Sequence, residues 1–324
     1  MADAPLILAI PSKGRLQENA AAFFARAGLV FTQSRGARDY RGTLAGVPDV
    51  EVAFLSASEI VNQLATGAAH LGITGEDLIR EQIADADAGV EMLTPLGFGH
   101  ANVVVAVPQA WIDVRSMADL DEVAADLRAR RGHKLRVATK YVNLTRRFFA
   151  ERGIADYRIV ESLGATEGAP SAGSAEIIVD ITTTGATLTA NALKVLDDGV
   201  MLRSEANLVA SLNAAWTGRA RSAATTVLTR IAAEEEARTS REVRAASDPA
   251  RATQIEDLAR SFGATLPYGG PQGGEIVLHC RAGVVFDLVA GLQGLGAHDV
   301  TVRTFDYLFR STNPLTERLL SRIG

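Results

Sequence analysis

Short apolar segments alternate with helical patterns up to about residue 220, and this alternation constrains the fold more than any other feature. Such alternation is typical of α/β proteins, so we expect mostly parallel sheets covered by helices. The strand candidates are LILAI (6–10), VEVAFL (50–55), LGITG (71–75), NVVVAV (102–107), LRVAT (135–139), RIVES (158–162), EIIVDI (176–181) and VMLRS (200–204).

The end of the chain follows a different pattern. Residues 221–246 are polar, alanine-rich and helical in pattern, and a second helical pattern follows at 251–264. After the glycine and proline break TLPYGGPQGG (265–274) come a strand, a helix and a strand at 275–280, 284–297 and 299–309. A βαβ unit of about 40 residues is too small to bury a core of its own. We therefore expect a C-terminal module that packs against another surface.

Composition places the chain among ordinary globular proteins. Of its 324 residues, 47% are apolar and 22% are charged, and no stretch reaches the roughly 18 consecutive apolar residues of a membrane span. The apolar segment at 4–11 is short for a signal peptide and lacks a basic flank, and the single cysteine, Cys280, excludes an internal disulfide. These features predict a cytoplasmic protein without a membrane partner.

The distribution of charge restricts the possible ligands. A net charge of −5 gives no overall attraction for nucleic acid. A polyanionic small molecule would instead need local groups of cations, and three segments concentrate them near predicted strand ends: SKGR (12–15), RGARDYR (35–41) and TKYVNLTRR (139–147). Each segment taken alone also fits a solvated surface.

One turn carries the most specific chemical pattern. The strand EIIVDI contains Asp180, four threonines lie between residues 182 and 187, and Gly185 stands among them before a helical pattern resumes. Hydroxyls, a glycine and the free N–H groups of a helix start together form an anion site. The turn therefore predicts a phosphate site, with Asp180 accepting hydrogen bonds from neighbouring sugar hydroxyls; a threonine-capped helix is the alternative.

Several common nucleotide-binding and metal-binding motifs are missing from the sequence. It contains no GxxxxGK[ST], no complete GxGxxG and no HExxH. The absence disfavours a P-loop kinase and a typical dinucleotide dehydrogenase.

The segment VDITTTGATLTANAL (179–193) resembles the phosphoribosyl-pyrophosphate loop of the ATP phosphoribosyltransferase family. Six further segments follow that family's order, over roughly the first 225 residues: PSKGRL (11–16), GITGEDL (72–78), LGFGHANVVVAVP (96–108), RVATKYVNLTRRFF (136–149), GATEGAP (164–170) and SEANLVA (204–210). Several motifs in order are far more specific than any one of them.

The resemblance implies a fold and a division into domains. We expect two α/β lobes hinged like a periplasmic binding protein, with the active site in the cleft, and an ACT-like C-terminal βαβ module that marks the long form of the family. The expected boundaries are 1–104 with 196–228 for lobe I, 105–195 for lobe II and 233–324 for the module.

The resemblance also implies an activity. The family transfers the 5-phosphoribosyl group of phosphoribosyl pyrophosphate to N1 of ATP, giving phosphoribosyl-ATP and pyrophosphate, which is the first step of histidine biosynthesis. It implies Mg²⁺ bound mainly through substrate with no dedicated metal site, histidine as an inhibitor bound by the module, and a homo-oligomer.

The resemblance also implies roles for individual residues, at positions where this sequence matches the family's motifs. Asp180 would hold the ribose hydroxyls, and Glu167 would face the cleft near the ribose or Mg²⁺. The loop expected to cradle the 5-phosphate comprises Thr183, Thr184, Gly185, Ala186, Thr187 and Leu188. Phosphates on the ATP side would meet Lys13, Gly14 and Arg15, with Gly75 and Asp77 bordering the cleft.

Other residues in these motifs remain open. A role in the cleft and a solvated helix face fit equally well for Lys140, Tyr141, Arg146 and Arg147. We expect His70 and His100 to be structural.

Two segments depart from the family pattern. LSASEI (55–60) stands where many relatives carry an arginine, and LPYGGPQGG (266–274) differs from the segment expected of long forms.

Three alternative functions are consistent with parts of the pattern. A type I phosphoribosyltransferase acting on a free base usually has two adjacent acids before its loop, whereas Ile181 follows Asp180 here. A solute-binding protein would share the two-lobed fold but has no use for the phosphate loop. A non-catalytic regulatory paralogue should have lost the Asp or the threonines.

Overall fold

The computed structural model describes residues 4–33, 40–270 and 273–324, in which two large mixed sheets are followed by a third, smaller one. The basic segment at 35–41 lies mostly outside the described residues, as do Pro271 and Gln272 of the glycine and proline break. Within the described part of the chain, no helix is both long and apolar enough to cross a bilayer.

The first sheet has seven strands. In spatial order they are β2 (Phe31–Gln33), β3 (Arg41–Leu44), β4 (Val50–Leu55), β1 (Leu6–Pro11), β5 (Leu71–Gly75), β12 (Ala206–Ser211) and β6 (Val90–Pro95). Strand β1 runs parallel to β4 and β5, while β12 lies antiparallel between β5 and β6. Every residue of β12 is buried, as expected for a central strand.

Six helices of the described residues pack on this sheet. We call the sheet together with these helices the first lobe. They are α1 (Gly14–Arg26), α2 (Ala57–Thr66), α3 (Glu76–Gln82), α4 (Ala86–Gly89), α8 (Gly218–Thr239) and α11 (Pro314–Ile323). In α1 the buried residues Ala20, Phe23 and Phe24 recur at helical spacing and pack into the same core as α8.

The second sheet and its helices, residues 101–204, form the second lobe. Its strands in spatial order are β11 (Leu193–Ser204), β7 (Ala101–Pro108), β10 (Ile177–Thr182), β8 (Leu135–Thr139) and β9 (Tyr157–Glu161). Its helices are α5 (Met117–Arg131), α6 (Val142–Glu151) and α7 (Ala186–Ala190). Parallel strands β10, β8 and β9 follow the predicted pattern.

The expectation of mostly parallel sheets was wrong. The strands that carry the chain between the lobes, β7, β11 and β12, run antiparallel to their neighbours, and β2 and β3 form a further antiparallel pair. Apolar runs reveal that a strand is buried but not its direction, so the periodicity could not distinguish these pairings.

The chain crosses between the lobes twice. The Leu96 N–H donates to the Ala206 carbonyl, and the Ala206 N–H donates to the Phe98 carbonyl, both at 2.9 Å. The Gly97 N–H adds a 3.0 Å bond to the Glu205 carboxylate. Residues 101–104 and 196–204 lie in the second sheet, whereas the sequence boundaries put them in lobe I.

The third sheet orders its strands β14 (Glu275–Arg281), β13 (Ser240–Ala246) and β15 (His298–Arg303), with helices α9 (Ala252–Ser261) and α10 (Val285–Gly294) on one face. Two sequence expectations fail here. The helix predicted over 221–246 ends at Thr239, because the following SREVRAA forms strand β13, in which Val243 and Ala245 pack into the core beneath the third sheet. The strand predicted over 299–309 ends at Arg303.

Helix α11 returns to the first lobe instead of staying with the third sheet. Leu315 and Leu319 are 7% and 1% exposed and belong to the same core as α8. The third sheet with its two helices is therefore inserted between two helices of the first lobe, which differs from the module boundaries of 233–324.

Candidate active site

The predicted site residues cluster at the carboxyl ends of parallel strands, the edge where α/β sheets carry their ligands. In the first lobe, β1 and β5 lead into residues 12–15 and 75–77. In the second lobe, β8 and β10 lead into Lys140 with Tyr141 and into the loop 183–188. These four segments carry most of the site residues predicted from the sequence.

The threonine loop is built by a tight turn after β10. The Gly185 N–H donates to the Thr182 hydroxyl oxygen at 2.9 Å, and Gly185 has φ +78°, in the left-handed region. No heavy atom lies within 4 Å of a Cβ placed there, so glycine is required by conformation and not by space. Thr182, which was absent from the predicted site, therefore shapes the loop from within.

Some loop residues attach the loop to the rest of the lobe, and others expose their side chains. The Thr183 hydroxyl donates to the His100 carbonyl at 2.9 Å, which ties the loop to the crossing segment, and Leu188 is buried in the core. The side chains of Thr184 and Thr187 are exposed, as is Ala186. The Thr184 hydroxyl accepts a 3.5 Å bond from the Ala186 N–H but can still donate. Thr184 and Thr187 therefore expose hydroxyl donors, while Thr183 and Leu188 hold the loop in place.

Asp180 lies half-buried at the end of β10, where the Ile181 N–H donates to its carboxylate at 2.8 Å. Burial raises the pKa of Asp180, and the nearby Glu167 carboxylate raises it further, whereas Lys140 and the Thr166 hydroxyl oppose the shift. Asp180, Glu167 and Lys140 therefore lie in one electrostatic cluster.

A buried carboxylate joins the two lobes. Asp77 on α3 is 6% exposed and accepts hydrogen bonds from the Tyr141 hydroxyl at 2.7 Å and the Ser204 hydroxyl at 2.9 Å. Burial and the Asp77 carboxylate both raise the pKa of Tyr141, which keeps the phenol protonated as a donor. A Cβ at Gly75 would collide with the Asp77 carboxylate, so Gly75 leaves the space that this bond requires.

Helix α3 makes a second contact with the opposite lobe. The Glu81 carboxylate accepts from the N–H groups of Asn143 and Leu144 at the start of α6, and the Asn143 side chain donates to the Glu81 carbonyl. The sequence reasoning did not find Glu81, Asn143 or Ser204, because pairings across 62 to 127 residues leave no local periodicity.

The four residues left open in the sequence take different positions. Lys140 is exposed, with its ammonium 5.0 Å from the centre of the Tyr141 ring. Tyr141 is buried, and Arg147 donates to the Arg80 carbonyl across the lobe boundary. Arg146 is exposed. Lys140 is the one of these cations that lies in the Asp180 cluster.

The first-lobe cations stand at the start of α1. Lys13 and Arg15 are exposed, and Gly14 between them has φ +72° with open space around it. In the divergent LSASEI segment, Ser56 caps α2 by accepting from the Glu59 N–H, and the Glu59 side chain accepts from the Ser56 N–H. This segment thus has a local structural role.

The His70 ring makes structural contacts, whereas His100 is exposed and contributes a main-chain carbonyl. Nδ1 of His70 accepts from the Ile7 N–H at 3.0 Å, Nε2 lies 3.2 Å from the Ala215 carbonyl, and Trp216 packs edge-on against the ring. His100 offers its carbonyl to Thr183. Among the residues that the structure covers, no group of three or more His, Cys, Asp or Glu side chains could hold a metal ion.

Comparison with known proteins identifies the family. Residues 56–233 match the family model of HisG: ATP phosphoribosyltransferase. The chain is 59% identical over 315 residues to an ATP phosphoribosyltransferase of Nitrobacter winogradskyi, covering 97% of each chain. It is 58% identical over 321 residues to that of Afipia carboxidovorans, covering 99% of each.

A solved structure is similar to this chain and supports the same family. A chain of the ATP phosphoribosyl transferase (HisG:HisZ) complex from Thermotoga maritima is 25% identical, with a TM-score of 0.53, over 70% of this chain and 96% of that one. The chain belongs to the ATP phosphoribosyltransferase family and is a pentosyltransferase of the first step of histidine biosynthesis.

Proposed function

We propose that the cleft between the two lobes binds phosphoribosyl pyrophosphate on the second lobe and ATP toward the first. The exposed hydroxyls of Thr184 and Thr187, which can both still donate, would receive the 5-phosphate. Asp180 would accept from the ribose hydroxyls, because its carboxylate, which the Ile181 N–H and the Thr166 hydroxyl contact, retains further acceptor positions. The single observation that carries this assignment is the loop turn that leaves these groups exposed beside Asp180.

Cations at the two sides of the cleft would balance the phosphates. Lys140 in the Asp180 cluster would face the pyrophosphate of phosphoribosyl pyrophosphate, and Lys13 and Arg15 would face the triphosphate of ATP. Their exposure supports this role, since a charge already paired within the fold would have less to offer a ligand.

The reaction needs little proton chemistry from the protein. Adenine N1 of ATP attacks C1 of the ribose, the N1–C1 bond forms, and the bond from C1 to the pyrophosphate oxygen breaks with its electron pair leaving on pyrophosphate. N1 carries no proton in neutral adenine, so no general base is required. Catalysis would rest on orienting the two substrates and on stabilising charge in a cleft that excludes water.

Mg²⁺ fits the cleft as a substrate-bound ion. Asp180 and Glu167 provide the hard oxygen ligands that Mg²⁺ prefers, but two carboxylates do not make a complete cage. Glu167 would hold the ion together with substrate phosphates and water. When bound, Mg²⁺ neutralises the charge that develops on the leaving pyrophosphate.

We further propose that the third sheet with α9 and α10 is the histidine-binding regulatory module, and that it joins copies of the chain. Phe286 on α10 is 87% exposed, and Val302 on the edge strand β15 is 45% exposed. An open sheet edge beside exposed apolar groups favours contact with another chain. The module would act on the cleft by binding histidine better in an inactive arrangement.

A coupled assay for pyrophosphate release tests the cleft assignment. The full chain with Mg²⁺ should release pyrophosphate only when ATP and phosphoribosyl pyrophosphate are both present, and mass spectrometry should show phosphoribosyl-ATP. Release with a free base replacing ATP would favour the type I alternative instead. Thr187→Ala should raise the KM for phosphoribosyl pyrophosphate, whereas Thr189→Ala, two residues along the same short helix and also exposed, should not.

Hydrogen exchange on the full chain tests the regulatory assignment. Added histidine should slow amide exchange within residues 240–303 and inhibit turnover. Protection confined to the loop 183–188 would place histidine in the cleft and contradict this assignment.

A further inference from the structure

The contact between α3 and α6 lies at the cleft and links the lobes there. Helix α3 follows the carboxyl end of β5 in the first lobe, and α6 follows the carboxyl end of β8 in the second. The start of α6 therefore borders the opening between the two sheets, and Glu81, near the end of α3, reaches that start from the first lobe. Glu81 receives the Asn143 N–H at 2.9 and 3.1 Å and the Leu144 N–H at 2.9 Å.

Helix α6 depends on this contact for its cap. Tyr141 stands at the N-cap position and makes no side-chain hydrogen bond to the first turn. The first N–H groups of a helix have no partner within the helix and attract negative charge. Glu81 thus supplies from the opposite lobe what a Ser or Asp normally supplies from within the same segment.

The bond is reciprocal. The Asn143 side-chain amide donates to the Glu81 carbonyl at 2.9 Å, so the two residues exchange hydrogen bonds in both directions. Four residues earlier on α3, Asp77 receives the Tyr141 hydroxyl. One face of α3 therefore holds the turn Lys140–Tyr141 and the start of α6 at two points.

This arrangement also directs anions within the cleft. A carboxylate already occupies the start of α6, so a substrate phosphate would meet negative charge there. The exposed Lys140 lies immediately before that helix and in the Asp180 cluster. A phosphate near this end of α6 would therefore meet favourable charge at Lys140 and not at the helix start.

We propose that Glu81 is a positioning residue that holds the two lobes together in the arrangement that binds substrate. It acts through α6 and Lys140 and does not touch the reacting atoms. The inference rests on the proposed substrate cleft. Without the Glu81 carboxylate, the lobes separate more often, and substrate binding must first restore the closed arrangement.

The expected kinetic effect is therefore on KM more than on kcat. In Glu81→Ala we expect the KM for phosphoribosyl pyrophosphate to rise about tenfold, as for a lost charge-assisted contact, with kcat within about threefold of the original. Glu81→Gln keeps an acceptor oxygen without the charge, so its KM should be intermediate. Glu151→Ala, an exposed carboxylate at the other end of α6, is the matched control and should leave both constants unchanged.

Two measurements without substrate make the test independent of catalysis. Small-angle scattering should show a larger radius of gyration for Glu81→Ala than for the original chain. Amide exchange at residues 142–146 should become faster in the same variant. Asn143→Ala removes the reciprocal bond from the opposite side of the contact and should change all these quantities in the same direction.

The outcomes separate the two proposals. Faster exchange with an unchanged scattering curve and unchanged KM would make Glu81 a local helix cap and overturn its positioning role. Lobe opening without a change in KM would overturn that role as well, and would also count against the substrate cleft. A selective rise in KM together with lobe opening supports both.

Discussion

The Tyr141 hydroxyl donates a 2.7 Å hydrogen bond to the buried carboxylate of Asp77, and the two residues belong to different lobes. Since the Ser204 hydroxyl and the Asp77 carboxylate also bond at 2.9 Å, the carboxylate is held by donors from two elements of the second lobe. The arrangement of the two lobes is thus stabilised by hydrogen bonds to a carboxylate that is 6% exposed.

We expect Tyr141→Phe to lower the free energy of unfolding by about 1.5–3 kcal/mol, because it removes one donor from a buried charge. Urea denaturation followed by circular dichroism would measure the change. Tyr157→Phe is the control, since that ring packs against Phe149 and should lose much less. Equal losses in both variants would contradict a special role for the Asp77 bond.

For Asp180→Asn we expect kcat/KM for phosphoribosyl pyrophosphate to fall about 10–100-fold at neutral pH, since an amide is a weaker acceptor than a carboxylate. Burial raises the pKa of Asp180, so in the original chain this function should be lost on acidification at a higher pH than for an exposed Asp. The acid limb of the pH profile should therefore move or vanish in the variant.

The same substitution lowers kcat/KM but should not lower the stability of the fold. A carboxyl whose folded pKa is raised stabilises the fold below its unfolded pKa, and that contribution is lost as the pH rises through the folded pKa. Asp180→Asn should therefore be at least as stable as the original chain at pH 7. A large loss of thermal stability would mean that the kinetic defect reflects unfolding.

Gly185→Ala should impair the threonine loop through its backbone. An Ala at φ +78° costs about 1–2 kcal/mol even though the space around it is open. The loop would relax this strain by shifting, so the KM for phosphoribosyl pyrophosphate should rise about tenfold. Gly218→Ala, at the first position of α8 with open space, is the control and should retain the original KM.

Removal of Mg²⁺ should abolish turnover without loosening the fold. With an excess of chelator we expect no pyrophosphate release and an unchanged melting temperature in the absence of substrates, because substrate phosphates provide most of the ligands. Calorimetry should find tight Mg²⁺ binding only when phosphoribosyl pyrophosphate is present. Strong binding to the protein alone would reveal a dedicated metal site.

Helix α11 should be essential to the first lobe. Leu319→Ala creates a cavity in the core and should cost about 2–5 kcal/mol of unfolding free energy. The neighbouring Leu320→Ala, at a position 40% exposed, should cost far less. A chain truncated after Ala224 would lose most of α8 and all of α11, so inactivity of such a chain would reflect damage to the first lobe and would not test regulation.

The local sequence pattern was sufficient to predict much of the architecture. The strands β4 and β10 lie where their apolar runs predicted, and the threonines after Asp180 pointed to the loop because hydroxyl and glycine turns are encoded within a few residues. The strand β13 was mistaken for a continuing helix because SREVRAA is short and alanine-rich. The residues of such a short segment do not indicate which strands it will pair with.

The remaining parts of the site depend on contacts that the linear pattern does not contain. Asp77 was recognised through a motif, but its partner Tyr141 lies 64 residues away, and Glu81 resembles any solvated helix carboxylate. Their roles arise only when the two sheets bring α3 against α6. Tyr141 is buried and bonds Asp77, while Lys140 is exposed and acts electrostatically on Asp180; a role of Lys140 in substrate binding is our proposal.

The position of β12 has a consequence for how the protein is made. The second lobe is continuous in the chain, so its sheet can form as soon as residues 101–204 have left the ribosome. The first lobe cannot, because β5 and β6 lie on either side of a strand that is synthesised only at residues 206–211. Until then both strands present unpaired edges, which are surfaces for misassembly. During synthesis, the half of the cleft that is encoded first is therefore completed last.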